Sequence, residues 1–354
     1  MSAAFDTIKR EKLLDILKSI INEDELRIIR FLLSNTIIDT KIDGATKKRP
    51  FVSNVGTPQG DSLSPVLFTI YLENALKEVR PILPQHTAEL EKTLPSEIAY
   101  ADDVDFIGFD DINIENVQTI LKKHNLSVNV DKTEFTKLSR QETAWRDTKK
   151  VGTLIGDKED VERRKQLSTE AIYKLTNVWI KGDKLKRVTK IKLYRALVKS
   201  ILTYNCGTWA LTQTEEEKIN AFHRKQLKKV LNIRYPEKIT NKSLYKVCNE
   251  KPLSITILES RWRLFGHILR RNMAIPANKA MTGYFLHQGD RYRGRPITTL
   301  PVVLNRDLAR LNCELQLRNQ DDLNHLRNIA QQTQQGAEIS RGIRDATEAS
   351  QTEH

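Results

Sequence analysis

The apolar period of this chain changes part-way along it, and the change divides what the chain can fold into. Up to about residue 155 short β-type runs alternate with helices, whereas helical spacing alone follows. Ile8 to Ile20 and Glu23 to Leu33 have helical spacing, with Asn22 placed to cap the second helix and a very short strand expected before the first. Ile37 to Val55, β-branched around the turn pair Asp43 and Gly44, reads as a hairpin that runs into a loop at Gly56, Thr57 and Pro58. A helix should start near Ser64 and Pro65, since proline's missing N–H would be unpaired there anyway, and should end near Arg80, before Pro81 and Pro84. Glu97 to Gly108 has the pattern of a hairpin with an acidic tip and Glu115 to Asn125 that of a helix. Leu126 to Leu138 and Val151 to Ile155 read as short strands, and Val161 to Leu175 and Leu185 to Tyr204 as helices. The expected class is α+β, an antiparallel sheet with helices followed by an all-helical region. Gln331 to His354, Gln-rich and without apolar period, is expected to be disordered.

Charge follows the same division. The net charge of +13 over 354 residues is localised. Residues 1–180 hold 26 Lys and Arg against 29 Asp and Glu, residues 181–310 hold 28 against 9, and residues 311–354 hold 4 against 7. The middle block alone is +19, the footprint of a protein that meets a polyanion, and nucleic acid fits better than a membrane. No apolar run reaches the roughly 18 residues of a membrane span, and Met1 to Arg10 has no signal-type apolar core. Cys206, Cys248 and Cys313 stand too far apart for a CxxC zinc site and are odd in number, which points to a reducing compartment.

Two segments carry chemistry. Tyr100, Ala101, Asp102 and Asp103 place adjacent carboxylates at the tip of an apolar hairpin. Read alone, this tetrapeptide is either a plain Asp-Asp turn or a site for divalent metals, because Mg²⁺ takes hard carboxylate oxygens together with substrate phosphates. About forty residues earlier, Gly56 to Pro65 forms a glycine-bearing loop that opens into a helix. Read alone, it is either an ordinary loop before a proline-initiated helix or a substrate loop, in which Gly60 lets backbone approach a base or sugar and the N–H groups of the helix start suit a phosphate.

In this order and spacing the segments resemble the palm of reverse transcriptases. Ala4, Phe5 and Asp6 look like the end of motif A, Gln59 to Pro65 like motif B, and Tyr100 to Asp103 like motif C. Asn129 to Thr133 look like motif D, and Val151 to Gly156 like the motif E primer grip. The Gln-Gly-Asp-Ser-Leu-Ser-Pro form of motif B is similar to that of non-LTR, LINE-like retrotransposons. So are Leu193 to Leu211 with Trp209, Arg261 to Arg271, and Arg293 to Pro296 followed by Thr298 and Thr299. The resemblance implies a right-hand polymerase palm over 1–158, a basic helical thumb and connection over 159–310, and a C-terminal helix with a tail over 311–354. It implies an RNA template, a DNA primer, deoxynucleotides and two Mg²⁺ ions, with action in the nucleus.

Residue by residue, the resemblance makes Asp102 a metal ligand assisted by Asp103, and Phe5 the aromatic gate that excludes a 2′-hydroxyl. Gln59 and Gly60 would border the incoming nucleotide and template base. Lys132 is a candidate to neutralise or protonate the leaving pyrophosphate, with a surface strand cation as its alternative role. Trp262, Phe265 and His267 are expected to pack rather than stack on bases, and His223 with His267 does not make a zinc site. The leading motif A aspartate and the fingers would fall before Met1. On that ground the chain is expected to be an N-terminally truncated copy that binds nucleic acid and has little or no polymerase activity alone.

Overall fold

A computed structural model describes residues 4–332 except 35, 43–44, 59, 84–94, 109–111, 140, 180–184, 287–297, 310–316 and 318. The fold is mixed α+β, mostly helical, with small two-stranded antiparallel sheets, and it divides into compact units at 1–135 and 136–354. Among the described residues no helix is long and apolar enough to cross a membrane.

The first unit opens with a 3₁₀ turn, Ala4–Asp6, in place of the expected strand, and a single antiparallel bridge joins Lys9 to Val55. Helices α1 (Arg10–Leu17) and α2 (Glu23–Leu33) follow. Asn22 caps α2 as expected: its Oδ1 accepts from Glu25 N at 2.9 Å, and Glu25 Oε2 accepts from Asn22 N at 3.2 Å. This reciprocal box satisfies two orphan donors and contributes about 1 kcal/mol. Strands β1 (Thr36–Ile42) and β2 (Ala45–Ser53) form the expected hairpin, whose turn residues lie outside the described ones. Helix α3 (Ser64–Val79) ends through a 3₁₀ turn at Arg80–Ile82. Strands β3 (Glu97–Tyr100) and β4 (Asp103–Phe106) and helix α4 (Ile114–Lys123) complete the unit. Leu13, Leu17, Leu26, Leu67, Phe68 and Tyr71 are its core.

The expected strand over Leu126 to Leu138 does not form. Asn129 O accepts from Lys132 N at 3.2 Å and from Thr133 Oγ1 at 2.7 Å, closing a 3₁₀ turn at Val130–Lys132. Side-chain bonds of this local kind compete with strand ladders, and Val130, Phe135 and Leu138 remain exposed.

The second unit begins with β5 (Lys149–Lys150) and β6 (Thr153–Leu154), and continues with α5 (Asp157–Lys174) and α6 (Thr176–Trp179). Helix α7 (Arg187–Tyr194) passes through a π turn, Arg195–Lys199, into α8 (Ser200–Leu202), close to the single helix expected over Leu185 to Tyr204. Then come α9 (Gln213–Val230), α10 (Asn241–Cys248), α11 (Leu253–Arg270), α12 (Pro276–Leu286), α13 (Leu300–Ala309) and α14 (Gln320–Gln331). Trp262 and Phe265 are buried and meet edge to face at 5.7 Å, so they pack as expected, whereas His267 is exposed and does not join them. Arg293 to Pro296 and nearly all of the Gln-rich tail lie outside the described residues.

Candidate active site

The expected acidic hairpin forms, with Tyr100 opposite Asp103 and Ala99 opposite Val104, so that Asp103 lies on β4 rather than beside Asp102 at the tip. Only Ala101 and Asp102 remain for the loop, and Ala101 takes φ +54°. Two-residue hairpin loops need positive φ because only then does the turn's twist match that of the strands. The carboxylates are thereby divided: Asp102 is half-buried and Asp103 is exposed at the start of β4. Asp102 lines a pocket of about 110 Å³ with Leu76, Val104, Phe106, Asn129 and Thr133 among its other walls. The acidic hairpin and the Asn129 to Thr133 segment therefore meet at this pocket. Lys132, exposed on its 3₁₀ turn, is not part of the lining.

The hairpin is anchored at its other end. Arg80 donates to Glu97 on β3 at 2.7 Å and to both carboxylate oxygens of Glu73 on α3 at 2.7 and 2.8 Å. Arg80's hydrogen bonds hold the Glu73 carboxyl below its usual range.

The second assembly joins the start of the chain to the glycine-bearing loop. Thr57 N donates to Phe5 O at 2.8 Å and Gly56 N to Ile8 O at 2.9 Å. Gly56 has φ +75°, and a Cβ there would lie 2.9 Å from both Asp6 Cα and Phe5 O, so no other residue fits. The Phe5 ring stacks on Phe68 of α3 at 4.4 Å, and both belong to the core that also receives Val104 and Phe106 of β4. Ser64 Oγ donates to Pro58 O at 2.7 Å, which fixes the loop to the start of α3. Gly60 has φ +92° with open space where a Cβ would be, and Gln59 lies outside the described residues.

Arg10 holds this arrangement and was not singled out from the sequence. It is buried, and its guanidinium donates to Gly56 O at 2.8 Å, Leu33 O at 2.5 Å, Ser53 O at 2.7 Å and Val55 O at 3.2 Å. Desolvation lowers its pKa, but an arginine keeps its charge, so one cation binds α1, the end of α2 and the loop together. Its only signal in the sequence was a charge on an otherwise apolar helix face.

Residues 1–166 match the family model for reverse transcriptase (RNA-dependent DNA polymerase). This segment is a reverse transcriptase domain. It contains all six candidate residues, Phe5, Gln59, Gly60, Asp102, Asp103 and Lys132. The comparison with curated proteins finds no match.

Reverse transcriptases use Mg²⁺ and act on nucleic acid. Among the described residues no three His, Cys, Asp or Glu groups converge on one point. Adjacent Asp102 and Asp103 nonetheless supply hard oxygens of the class Mg²⁺ takes. One or two carboxylates suffice when water and substrate phosphates complete its shell, so the donors present fit the ion.

Proposed function

We propose that this chain is the reverse transcriptase region of a non-LTR, LINE-like retrotransposon, extending a DNA primer along an RNA template. In this reading 1–158 is the palm, 159–310 the basic helical thumb and connection, and 311–354 a C-terminal helix with its tail. The observation that carries it is the Asp102–Asp103 turn within a segment that matches the reverse transcriptase family.

Asp102 and Asp103 would hold Mg²⁺, which when bound would lower the pKa of the primer 3′-hydroxyl and offset charge on the leaving pyrophosphate. Phe5, backed by Phe68, presents a fixed ring to the sugar of the incoming deoxynucleotide and leaves no room for a 2′-hydroxyl. Gly60 and Gln59 border the nucleotide and the template base, and the open space at Gly60 supports that role. Lys132, exposed beside the segment that lines the Asp102 pocket, is free in position to meet a leaving phosphate. The β5–β6 hairpin contacts the primer strand.

A second reading, nucleic-acid binding without synthesis, is supported by a basic groove of about 550 Å³ on α9. Arg224, Lys225, Lys228, Lys229 and Arg234 are among its walls. One experiment separates the two: template–primer binding and primer extension with Mg²⁺ and deoxynucleotides, with Asp102→Ala as the control. Extension that Asp102→Ala abolishes supports synthesis. Binding without extension supports the second reading, and absence of binding refutes both.

A further inference from the structure

The β5–β6 hairpin pairs over two rungs only, Lys149 with Leu154 and Lys150 with Thr153. Its turn places Val151 at φ +46° and Gly152 at φ +78°. Positive φ at both positions suits a tight hairpin, but a β-branched residue adopts it only where the surroundings over-determine it. Those surroundings centre on Asp160, in the first turns of α5 and fully buried. Asp160 Oδ1 accepts from Leu154 N at 3.0 Å, and Oδ2 accepts from Thr153 Oγ1 at 2.8 Å and Trp209 Nε1 at 3.1 Å. Arg164 and Arg163 ion-pair with the same carboxylate at 3.4 and 3.9 Å, and both donate to Gly152 O. Tyr204 OH donates to Val151 O at 2.9 Å, and the Arg164 guanidinium lies 4.5 Å over the Tyr204 ring.

Both carbonyls of the turn are thus held from the protein side, while the Val151 side chain is half-exposed at the tip beside the exposed Lys149. A hairpin held only to stay folded would not need an apolar tip fixed in a strained conformation beside a cation. An apolar tip with a cation next to it can meet the sugar and phosphate of a nucleic-acid strand at once. From this geometry we infer that Asp160 is a positioning residue, which fixes the Val151–Gly152 turn against the primer strand through Thr153, Leu154 and Arg164. The inference rests on the reading above that this hairpin meets the primer.

The test uses the whole chain with a template–primer whose 3′-terminal base carries a diazirine, together with hydrogen exchange at Leu154. In the wild type the crosslink should map to residues 149–154. Asp160→Asn keeps the size of the side chain but turns a donor toward Trp209 Nε1 and Thr153, so the crosslink should fall about tenfold and Leu154 exchange rise about tenfold. Template–primer affinity, dominated by the basic region, should stay within about twofold. Thr153→Val, which removes one of these bonds and leaves the rest, should give a smaller change of the same sign, and it carries the test if Asp160→Asn does not fold. A wild-type crosslink in the hairpin that both variants leave unchanged overturns the inference and leaves the functional reading standing. A wild-type crosslink elsewhere overturns the primer-contact reading, and the inference with it.

Discussion

Replacing Gly56 by alanine separates two effects that glycine substitutions usually mix. Alanine at φ +75° costs about 1 kcal/mol in backbone conformation alone. The new Cβ also meets backbone, Asp6 Cα and Phe5 O at 2.9 Å, where no side chain can turn aside. Relief requires the Ala4–Asp6 turn and the loop to part by several tenths of an ångström. That lengthens the bonds Gly56 N to Ile8 O and Thr57 N to Phe5 O, each worth about 1 kcal/mol. The total is about 2–4 kcal/mol. Gly60 is the internal control: its φ is also positive, but nothing lies within 4 Å of a Cβ there, so Gly60→Ala should cost only about 1 kcal/mol. Denaturant unfolding followed by circular dichroism, resolved for the first unit, measures both. Because Gly60 borders the proposed substrate, its variant should lose template–primer or nucleotide affinity out of proportion to its stability. Equal destabilisation by the two variants would refute the close-approach argument.

Other expectations follow from single groups. His223 is fully buried between Tyr194 and Tyr245, ring centroids 5.9 and 6.0 Å away, with neither ring nitrogen hydrogen-bonded, and burial pushes its pKa down to about 3. Lys199 and Arg224 also lower it and Glu250 opposes them. The unfolded chain binds this proton near pH 6.5 and the folded one does not. Stability should therefore fall by up to about 1.4 kcal/mol per pH unit as pH drops from about 6 toward 3. His223→Phe should remove that component of the pH profile, and an unchanged profile would exclude His223 as its source. Lys225→Gln with Lys228→Gln on α9 should lower the slope of log affinity against log salt by about 2, provided each lysine meets one phosphate. A slope unchanged in titrations at several salt concentrations would remove this groove from the nucleic-acid surface.

Much of the local structure was legible where one signal dominates. Asn22 as a cap marked the start of α2, and the run from Ser64 to Arg80 between loop and prolines marked α3. The acidic hairpin was legible because apolar runs flank an acidic tip, but the pattern did not show that of the two carboxylates only Asp102 lies in the turn. Leu126 to Leu138 misled because its apolar residues suggest a strand, whereas Asn129 and Thr133 close a local turn that no period reports. Of the candidate site, Phe5, Asp102 and Asp103 could be named from motif order. The residues that hold site and hairpin in place could not: Arg10 and Asp160 resemble ordinary helix charges until the backbone carbonyls around Arg10, 23 to 46 residues away, and Trp209, 49 residues from Asp160, are brought beside them.

Where the protein holds its metal ion is the decisive measurement for a polymerase site at the Asp102–Asp103 hairpin. Fe²⁺ substituted for Mg²⁺ on the template–primer complex, with ascorbate and peroxide, cuts the chain beside the site it occupies. Cuts should fall within residues 100–105, be suppressed by excess Mg²⁺ and disappear in Asp102→Ala. Cuts confined to other parts of the chain, or unchanged in Asp102→Ala and Asp103→Ala, would contradict a metal-bearing polymerase site at this hairpin.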